Sequence, residues 1–549
     1  MKMKNHRLTW LKDIFILFCL IGFFFFFALG NRPLASPDEA RYSEIPREML
    51  VSGDFITPHL NGINYFEKPP LLYWAQTLSF KIGGFNEWAA RTPTALFALL
   101  GCLITYCLGR YIYTRQTGLM AAGILASSLL YFSMAHVLTI DMMLSCILTA
   151  SLSCLLFALN LPPSQKKQLV FCYGFYLFTG LAVLTKGLVG VLLPGAILFS
   201  WLLLLNRWKQ LKNLSLFTGI LLFTVIIIPW HYLVQIQHPE FFNFYIIEQQ
   251  FLRFFTLSAG RYQPAWFFLV IILAGFFPWT VFLVQALSSS LKKVLKNKKK
   301  YSNELFLLLW AGIVFLFFSA SKSKLIPYIL PVFPPLSLLI AHYLSSHQKS
   351  RGASLLLSLL SFILLVAIYI ASKKYFVASE AKITVLFLGV VLVIGTLISY
   401  IYLNRDLKRA YGVILSWAII FNLTLVTLTP HIGSTSIKPL IMKIKTHAKP
   451  HDRVVSYHHY YQDMPFYLNR LITIVDWDNE LSFGMAHQHA EELSMSSAAF
   501  WPLWTGPQTI YLVMNKRDFD KLSKLHTFYV IDQDESDALI TNHPLKVEH

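Results

Sequence analysis

The chain has 549 residues, of which 55% are hydrophobic and only 14% charged; this balance excludes an ordinary soluble protein and defines a polytopic membrane protein. Its formal charge of +19 would suit a nucleic-acid binder, but the basic residues lie in short loops between apolar runs, so no nucleic acid is expected as a partner. All six cysteines (Cys19, Cys102, Cys107, Cys146, Cys154, Cys172) lie within or at the ends of apolar segments. They read as small core hydrophobes, with no disulfide framework and no zinc pattern.

Lys2, Lys4, Arg7 and Lys12 precede an apolar run over 14–30, either a signal peptide cleaved near Ala28-Leu29-Gly30 or an uncleaved first transmembrane helix. The helix is preferred, because the charged stretch that follows makes sense only if it is tethered at the membrane face. Further spans of membrane length are expected at 92–110, 116–135, 140–160, 169–185, 187–205, 214–234, 264–288, 303–319, 325–343, 353–372, 381–403 and 410–429. The fold class is thus an α-helical membrane protein of about thirteen transmembrane helices.

With the N-terminus inside, the short basic loops fall on one side: Arg110 and Arg115, Lys166 and Lys167, Arg207, Lys209 and Lys212, the run 292–300, Lys349 and Arg351, and Arg405, Lys408 and Arg409. Arg41, Lys68, Lys186, Arg253, Arg261, Lys322 and Lys324 then face outside, where the rule disfavours them. An anionic substrate would explain the exceptions.

The first outside loop, 31–91, contains PDEARYSEIPREMLVSGDFITPHLNGINYFEKPP at 37–70. Eight ionisable groups (Asp38, Glu39, Arg41, Glu44, Arg47, Glu48, Glu67, Lys68) crowd beside an apolar wall, which is costly unless they line a polar site. Asp38 and Glu39 open a helix that runs to about Val51, where Ser52-Gly53 stops it. A second helix is expected over 65–80, broken near Pro69-Pro70, with Tyr73 and Trp74 as interfacial anchors. Asp141 falls at the mouth of the fourth helix. Lys186 lies in LTKGLVG between two spans, 235–263 is an aromatic amphipathic segment, and Lys322, Lys324 and Tyr328 sit where another helix begins.

After Pro430 the polarity becomes ordinary. DRVVSYH, LITIVDW, TIYLVMN, TFYVIDQ and DALITNH read as strands, and KPLIMKIKTHA, HAEELSM and RDFDKLSKL as helices, which together make a small α/β domain over 431–549. The membrane domain is 1–430. The C-terminal domain has no glycine-rich phosphate loop, His458-His459 reads as strand surface, and a supporting or acceptor-docking role is expected.

An outer cavity handling a lipid-linked phosphate would need cations, a positioning or proton-accepting carboxylate and an apolar groove. Arg41 and Lys68 are candidates for the phosphate, supplemented by Lys186 and Lys324. Asp38 and Asp141 are the candidate carboxylates, against the plainer alternative of surface or cap acids. Lys186 could equally be a snorkelling lysine. Glu39, about 100° around the helix from Asp38, would not share its face.

The stretch 37–70, with TKG at 185–187, PEFFNFYIIEQQFLRF at 239–254 and SKSKLIPYILPVFP at 321–334, resembles the bacterial aminoarabinose transferases. These GT-C glycosyltransferases, relatives of the protein O-mannosyltransferases, move 4-amino-4-deoxy-L-arabinose from undecaprenyl phosphate to lipid A. The resemblance implies a GT-C fold with a periplasmic α/β domain. It implies Asp38 as the principal catalytic carboxylate and Asp141 as a second cavity acid. Arg41, Tyr42, Lys68 and Tyr328 would line the polyprenyl-phosphate site, and Tyr65 and Glu67 would shape its wall. Where the family often carries Glu-His, this chain has Gln249 and Gln250, which argues against a histidine-held metal there; no metal ligand and no cofactor is assigned. The C-terminal domain resembles the family only loosely.

The implied partners are an undecaprenyl-phosphate-linked sugar donor, a lipid A acceptor and membrane lipids. The implied place is the bacterial inner membrane, with site and C-terminus facing the periplasm. A GT-C transferase acting on a protein or another glycan is the alternative enzyme. A flippase would be expected to keep its ionisable groups near the midplane instead. A structural assembly protein would tolerate Asp38→Asn with its role intact.

Overall fold

A computed structural model of the chain describes residues 2–163, 165–256, 261–375, 379–431, 436–477 and 479–544. The chain packs as two compact units, and the division is not a single cut. Residues 1–31 and 91–432 form the first unit, while 32–90 join 433–549 in the second.

The first unit is helical. Among the described residues ten helices are long and apolar enough to cross a membrane, and up to twelve if two bent pairs each count as one span. The expected run 187–205 forms a shorter apolar helix, Val189–Leu205, so length and apolarity alone do not give the expected thirteen. The expected spans 116–135 and 264–288 are the bent ones. Arg115–Ser127 and Leu129–Ala135 meet at 67°, and Phe267–Gly275 and Trp279–Lys296 at 109°. Backbone groups freed at a helix break need new partners in an apolar setting. Here the two breaks supply each other: the Leu129 amide donates to the Phe277 carbonyl at 3.1 Å, and the Trp279 indole to Ser127 Oγ at 2.9 Å.

The first helix, Lys2–Phe26, is held at its polar end by Asp13. That carboxylate is buried and accepts from Tyr106 at 2.8 Å, Arg110 at 2.7 Å and Arg115 at 2.7 and 2.6 Å. A buried carboxylate is tolerable only when so fully paired.

The second unit holds a hairpin, β1 (His59–Leu60) and β2 (Ile63–Asn64), and a six-stranded sheet of β3 (Arg453–Tyr457), β4 (Thr473–Val475), β5 (Ser494–Met495), β6 (Ile510–Asn515), β7 (Tyr529–Gln533) and β8 (Asp537–Thr541). The order is β5-β4-β3-β6-β8-β7. Strands β5, β4, β3 and β6 run parallel, and β8 and β7 complete an antiparallel edge. Five strands fall where the sequence places them. HAEELSM is a correction: no helix forms there, and its last two residues make β5. Pairing with β4 overrides local helical preference.

The helix expected from Asp38 runs over Asp38–Ser52, and Gly53, at φ +74°, ends it with its amide on the Met49 carbonyl. The expected second helix begins only at Leu71 and runs to Gly83, so 65–70 stay non-helical, and the prolines at 69 and 70 bar a helix from running back through them. The hairpin turn is stitched to the C-terminal sheet. Asn61 exchanges two hydrogen bonds with the backbone of Ile472, both at 2.9 Å, while Gln488 accepts from the Asn64 amide at 2.9 Å and donates to the Gly62 carbonyl at 3.0 Å.

Candidate active site

In the first unit, Asp141 lies in the first turn of Ile140–Asn160 and Lys186 in the last turn of Lys166–Lys186. They form a direct ion pair, and both are largely buried. The Lys186 ammonium also lies 3.7 Å from the centre of the Tyr328 ring, a cation–π seat that holds the cation without neutralising it. Gly187 explains why the lysine stops there. Its φ of +83° with ψ of −146° is a region open essentially to glycine, and a β-carbon would sit 2.7 Å from both Gln250 Oε1 and the Tyr245 hydroxyl. The 243–252 segment therefore packs directly behind Lys186. The hydroxyl of Tyr245 is buried without a hydrogen-bond partner.

Lys324 is used differently. Its ammonium donates to the carbonyls of Gln263 at 2.9 Å and Ser321 at 2.5 Å, and burial together with the nearby Lys322 charge pushes it below the ordinary lysine range. It braces the loop before the Tyr328 turn. Arg253 donates to Gln249 at 2.8 Å; residues 257–260 of that loop lie outside the described residues.

In the second unit, the eight groups named from 37–70, Asp38, Glu39, Arg41, Glu44, Arg47, Glu48, Glu67 and Lys68, divide into two sets. Four are structural: Glu39 chelates Arg32 at 2.6 and 3.1 Å and accepts the Ala35 amide. Arg47 closes a fork on Glu44 at 2.7 and 2.5 Å, and Glu48 accepts the Asn61 and Gly62 amides at 2.5 and 2.8 Å. The other four, Asp38, Arg41, Glu67 and Lys68, form a polar group around the buried Arg41 guanidinium. Its Nη1 lies 3.7 Å from Asp38 Oδ1 and donates to the Tyr65 hydroxyl at 3.3 Å. Lys68 lies 3.8 Å from Glu67 and donates to the Glu67 carbonyl. Tyr42 is buried beside Tyr73, their ring centres 6.3 Å apart. Asp38 is the open member, 48% exposed, while Glu39 is at 1%, as the helical offset requires.

Sequence reasoning misses one member. Glu480, after β4, binds Arg41 Nη2 at 2.7 Å and accepts from Gln462 at 2.8 Å; Gln462 in turn accepts from Ser36 at 2.8 Å. Burial raises the Glu480 carboxyl above the ordinary range, Arg41 opposes this, and Glu67 and Asp38 add to it. Burial also works against the Arg41 charge, yet Tyr65, Glu480, Glu67 and Asp38 outweigh it and hold the guanidinium well above its usual range. No short motif surrounds Glu480, and only the fold brings it to Arg41. Among the described residues no three or more His, Cys, Asp or Glu side chains are grouped to hold a metal.

Two family models match the chain: Dolichyl-phosphate-mannose-protein mannosyltransferase over residues 67–233 and Aminoarabinose transferase C-terminal domain over residues 440–542. The second match corrects the loose resemblance expected for the C-terminal domain. A crystal structure of ArnT from Cupriavidus metallidurans bound to undecaprenyl phosphate is similar over 97% of this chain and 98% of that one, with 26% identity and a TM-score of 0.87. The archaeal oligosaccharyltransferase AglB from Archaeoglobus fulgidus, at 13% identity and a TM-score of 0.53 over 93% of this chain and 70% of that one, shares the fold alone. A many-helix membrane unit with its sheet-bearing companion is the GT-C glycosyltransferase fold. Undecaprenyl phosphate-alpha-4-amino-4-deoxy-L-arabinose arabinosyl transferase 2 of Sodalis glossinidius is 32% identical over 67% of both chains. Transferase 1 of Proteus mirabilis is 35% identical over 62% of this chain and 60% of its own length. The chain belongs to this arabinosyl transferase family. It spans about three fifths of the length of the curated relatives it matches first.

Proposed function

We propose that this chain transfers 4-amino-4-deoxy-L-arabinose from undecaprenyl phosphate to a lipid A phosphate, with inversion at the sugar C1, at the periplasmic face of the bacterial inner membrane. The observation that carries the reading is Arg41: a buried guanidinium with its Nε unpartnered, grouped with Lys68 among the carboxylates Asp38, Glu67 and Glu480. Such a group suits a phosphate that departs with added charge. The family membership names the sugar and the polyprenyl carrier.

In this mechanism Arg41 and Lys68 stabilise the departing undecaprenyl phosphate, with Tyr65 and Glu67 fixing their positions. In the first unit, Lys186, held by Asp141 over Tyr328, is a separate candidate cation for a phosphate. Asp38, the exposed acid of its group, faces the developing positive charge on the sugar. A lipid A phosphate is already ionised and needs little deprotonation, so Asp38 orients and balances charge rather than acting as a strong base.

The mannosyltransferase match over 67–233 favours a second reading, transfer to a protein hydroxyl, in which Asp38 acts as base and activity falls on a marked acid limb. Mass spectrometry of lipid A separates the two. Cells that make the donor but lack their own transferase would receive this chain or its Asp38→Asn variant. An aminoarabinose mass on lipid A with the parent alone, at equal membrane abundance, is the expected result. Unmodified lipid A with a well-folded parent would overturn the lipid A reading.

A further inference from the structure

Two arginines of the helix Asp38–Ser52 bind a glutamate through Nη2, and they differ at Nε. Arg47 fills both positions on Glu44, at 2.7 and 2.5 Å, and its fork is closed. Arg41 fills only one. Its Nη2 binds Glu480 at 2.7 Å, while its Nε is buried without a hydrogen-bond partner. A buried N–H without a partner beside a bonded one is an edge that a two-oxygen acceptor would complete.

We propose that Glu480 is a placeholder for the donor phosphate: its carboxylate holds Arg41 in position in the unliganded protein and gives up Nη2 when two phosphate oxygens take the whole Nε/Nη2 edge. The inference rests on the donor reading above.

Charge supports the exchange. Around Arg41 and Lys68 stand three carboxylates, Asp38, Glu67 and Glu480, so an incoming phosphate meets a group already without excess positive charge. One acid must leave or take a proton. Glu480 is the one bound to Nη2. It faces Arg41 and Asp38 from the helix Asp38–Ser52, Tyr65 and Glu67 from the segment after β2, Tyr73 from the helix Leu71–Gly83, and Tyr460 and Gln462 from the segment after β3. None of these is a cation except Arg41. Burial already raises its proton affinity, and Gln462 offers it an amide to keep once Arg41 is released. Its position just past the carboxyl end of a parallel strand, β4, is where open α/β sheets present ligand contacts.

The test is binding of undecaprenyl phosphate to the purified full chain, with Glu480→Gln and Glu480→Ala beside it, at pH 6 and pH 8. Proton uptake is read by calorimetry in two buffers of different ionisation enthalpy. The parent is expected to bind with uptake of a proton, and Glu480→Gln to bind about tenfold tighter at pH 8 with that uptake lost, a shift of about 1.4 kcal/mol. Glu480→Ala should share the loss of proton uptake, and thermal unfolding of each variant shows whether it is folded. Folded variants that bind no tighter than the parent, with unchanged proton uptake, would overturn the proposal and leave Glu480 a permanent structural partner. A parent that fails to bind undecaprenyl phosphate at all would overturn the donor reading itself.

Discussion

Lys186 and Asp141, on helices that enter the first unit from different points in the chain, share an ion pair whose cation rests 3.7 Å above Tyr328. Removing one member of a buried pair leaves the other uncompensated, at a cost of about 3–5 kcal/mol. Lys186→Met should therefore destabilise the protein strongly. Adding Asp141→Asn should recover much of the stability and none of the turnover. Thermal unfolding of the single and double variants, read against activity, checks both halves.

Asp38 behaves in the opposite way. It is half exposed, and its nearest cation is 3.7 Å away, so Asp38→Asn should change stability by no more than about 0.5 kcal/mol while lowering turnover by roughly a hundredfold or more. A loss of stability that matches the loss of activity would make it a structural acid.

Gly187→Ala forces a side chain into a conformation that costs roughly 1–3 kcal/mol and drives a methyl group toward Gln250 and Tyr245. The expected outcome is a folded protein with lower turnover, because the end of the helix carrying Lys186 must shift. A variant with parent-like turnover would show that the lysine position has slack.

Asp463 gives a pH prediction. Its carboxyl is buried, accepts from Ser436 at 2.7 Å and from the Ile437 amide at 3.0 Å, and burial lifts it from 3.8 to about 6. A raised folded-state value means that the folded protein binds the proton more tightly. Its contribution is full below about pH 4 and is lost as the pH rises through about 6, a swing on the order of 3 kcal/mol. Comparing the unfolding of the parent and Asp463→Asn between pH 4 and 7 isolates it, with the variant expected to be flatter.

The sequence shows what is local and hides what is not. Asp38 at a helix start, the glycine stop at 53 and the strands around Val455 and Leu512 are legible because capping, turn chemistry and apolar runs act within a few residues. The helix breaks at Ser128 and Pro278 are hidden inside apolar windows, since a broken span and a straight one have the same composition. Ser494–Met495 looks helical until β4 pairs with it. Asp141, Lys186 and Tyr328 are legible as candidates, but their mutual contact is not. Glu480 is silent altogether: an acid in a polar segment, 439 positions from the arginine it binds, carries no local signal. The grouping of 37–70 is half legible, because crowded charges can line a site or be structural, as Glu48 is in pinning its helix to the hairpin and Glu44 and Arg47 are in pairing along that helix.

The interleaved second unit bears on how such proteins can be recombined. Residues 32–90 and 433–549 fold together, with Asn61 on Ile472 and Arg41 on Glu480. A chimera that grafts a relative's C-terminal segment alone would therefore mate foreign surfaces to a native loop, and would put another residue opposite Arg41. The exchangeable module is the pair of segments, and only their joint transplantation carries one parent's polar group intact into the other.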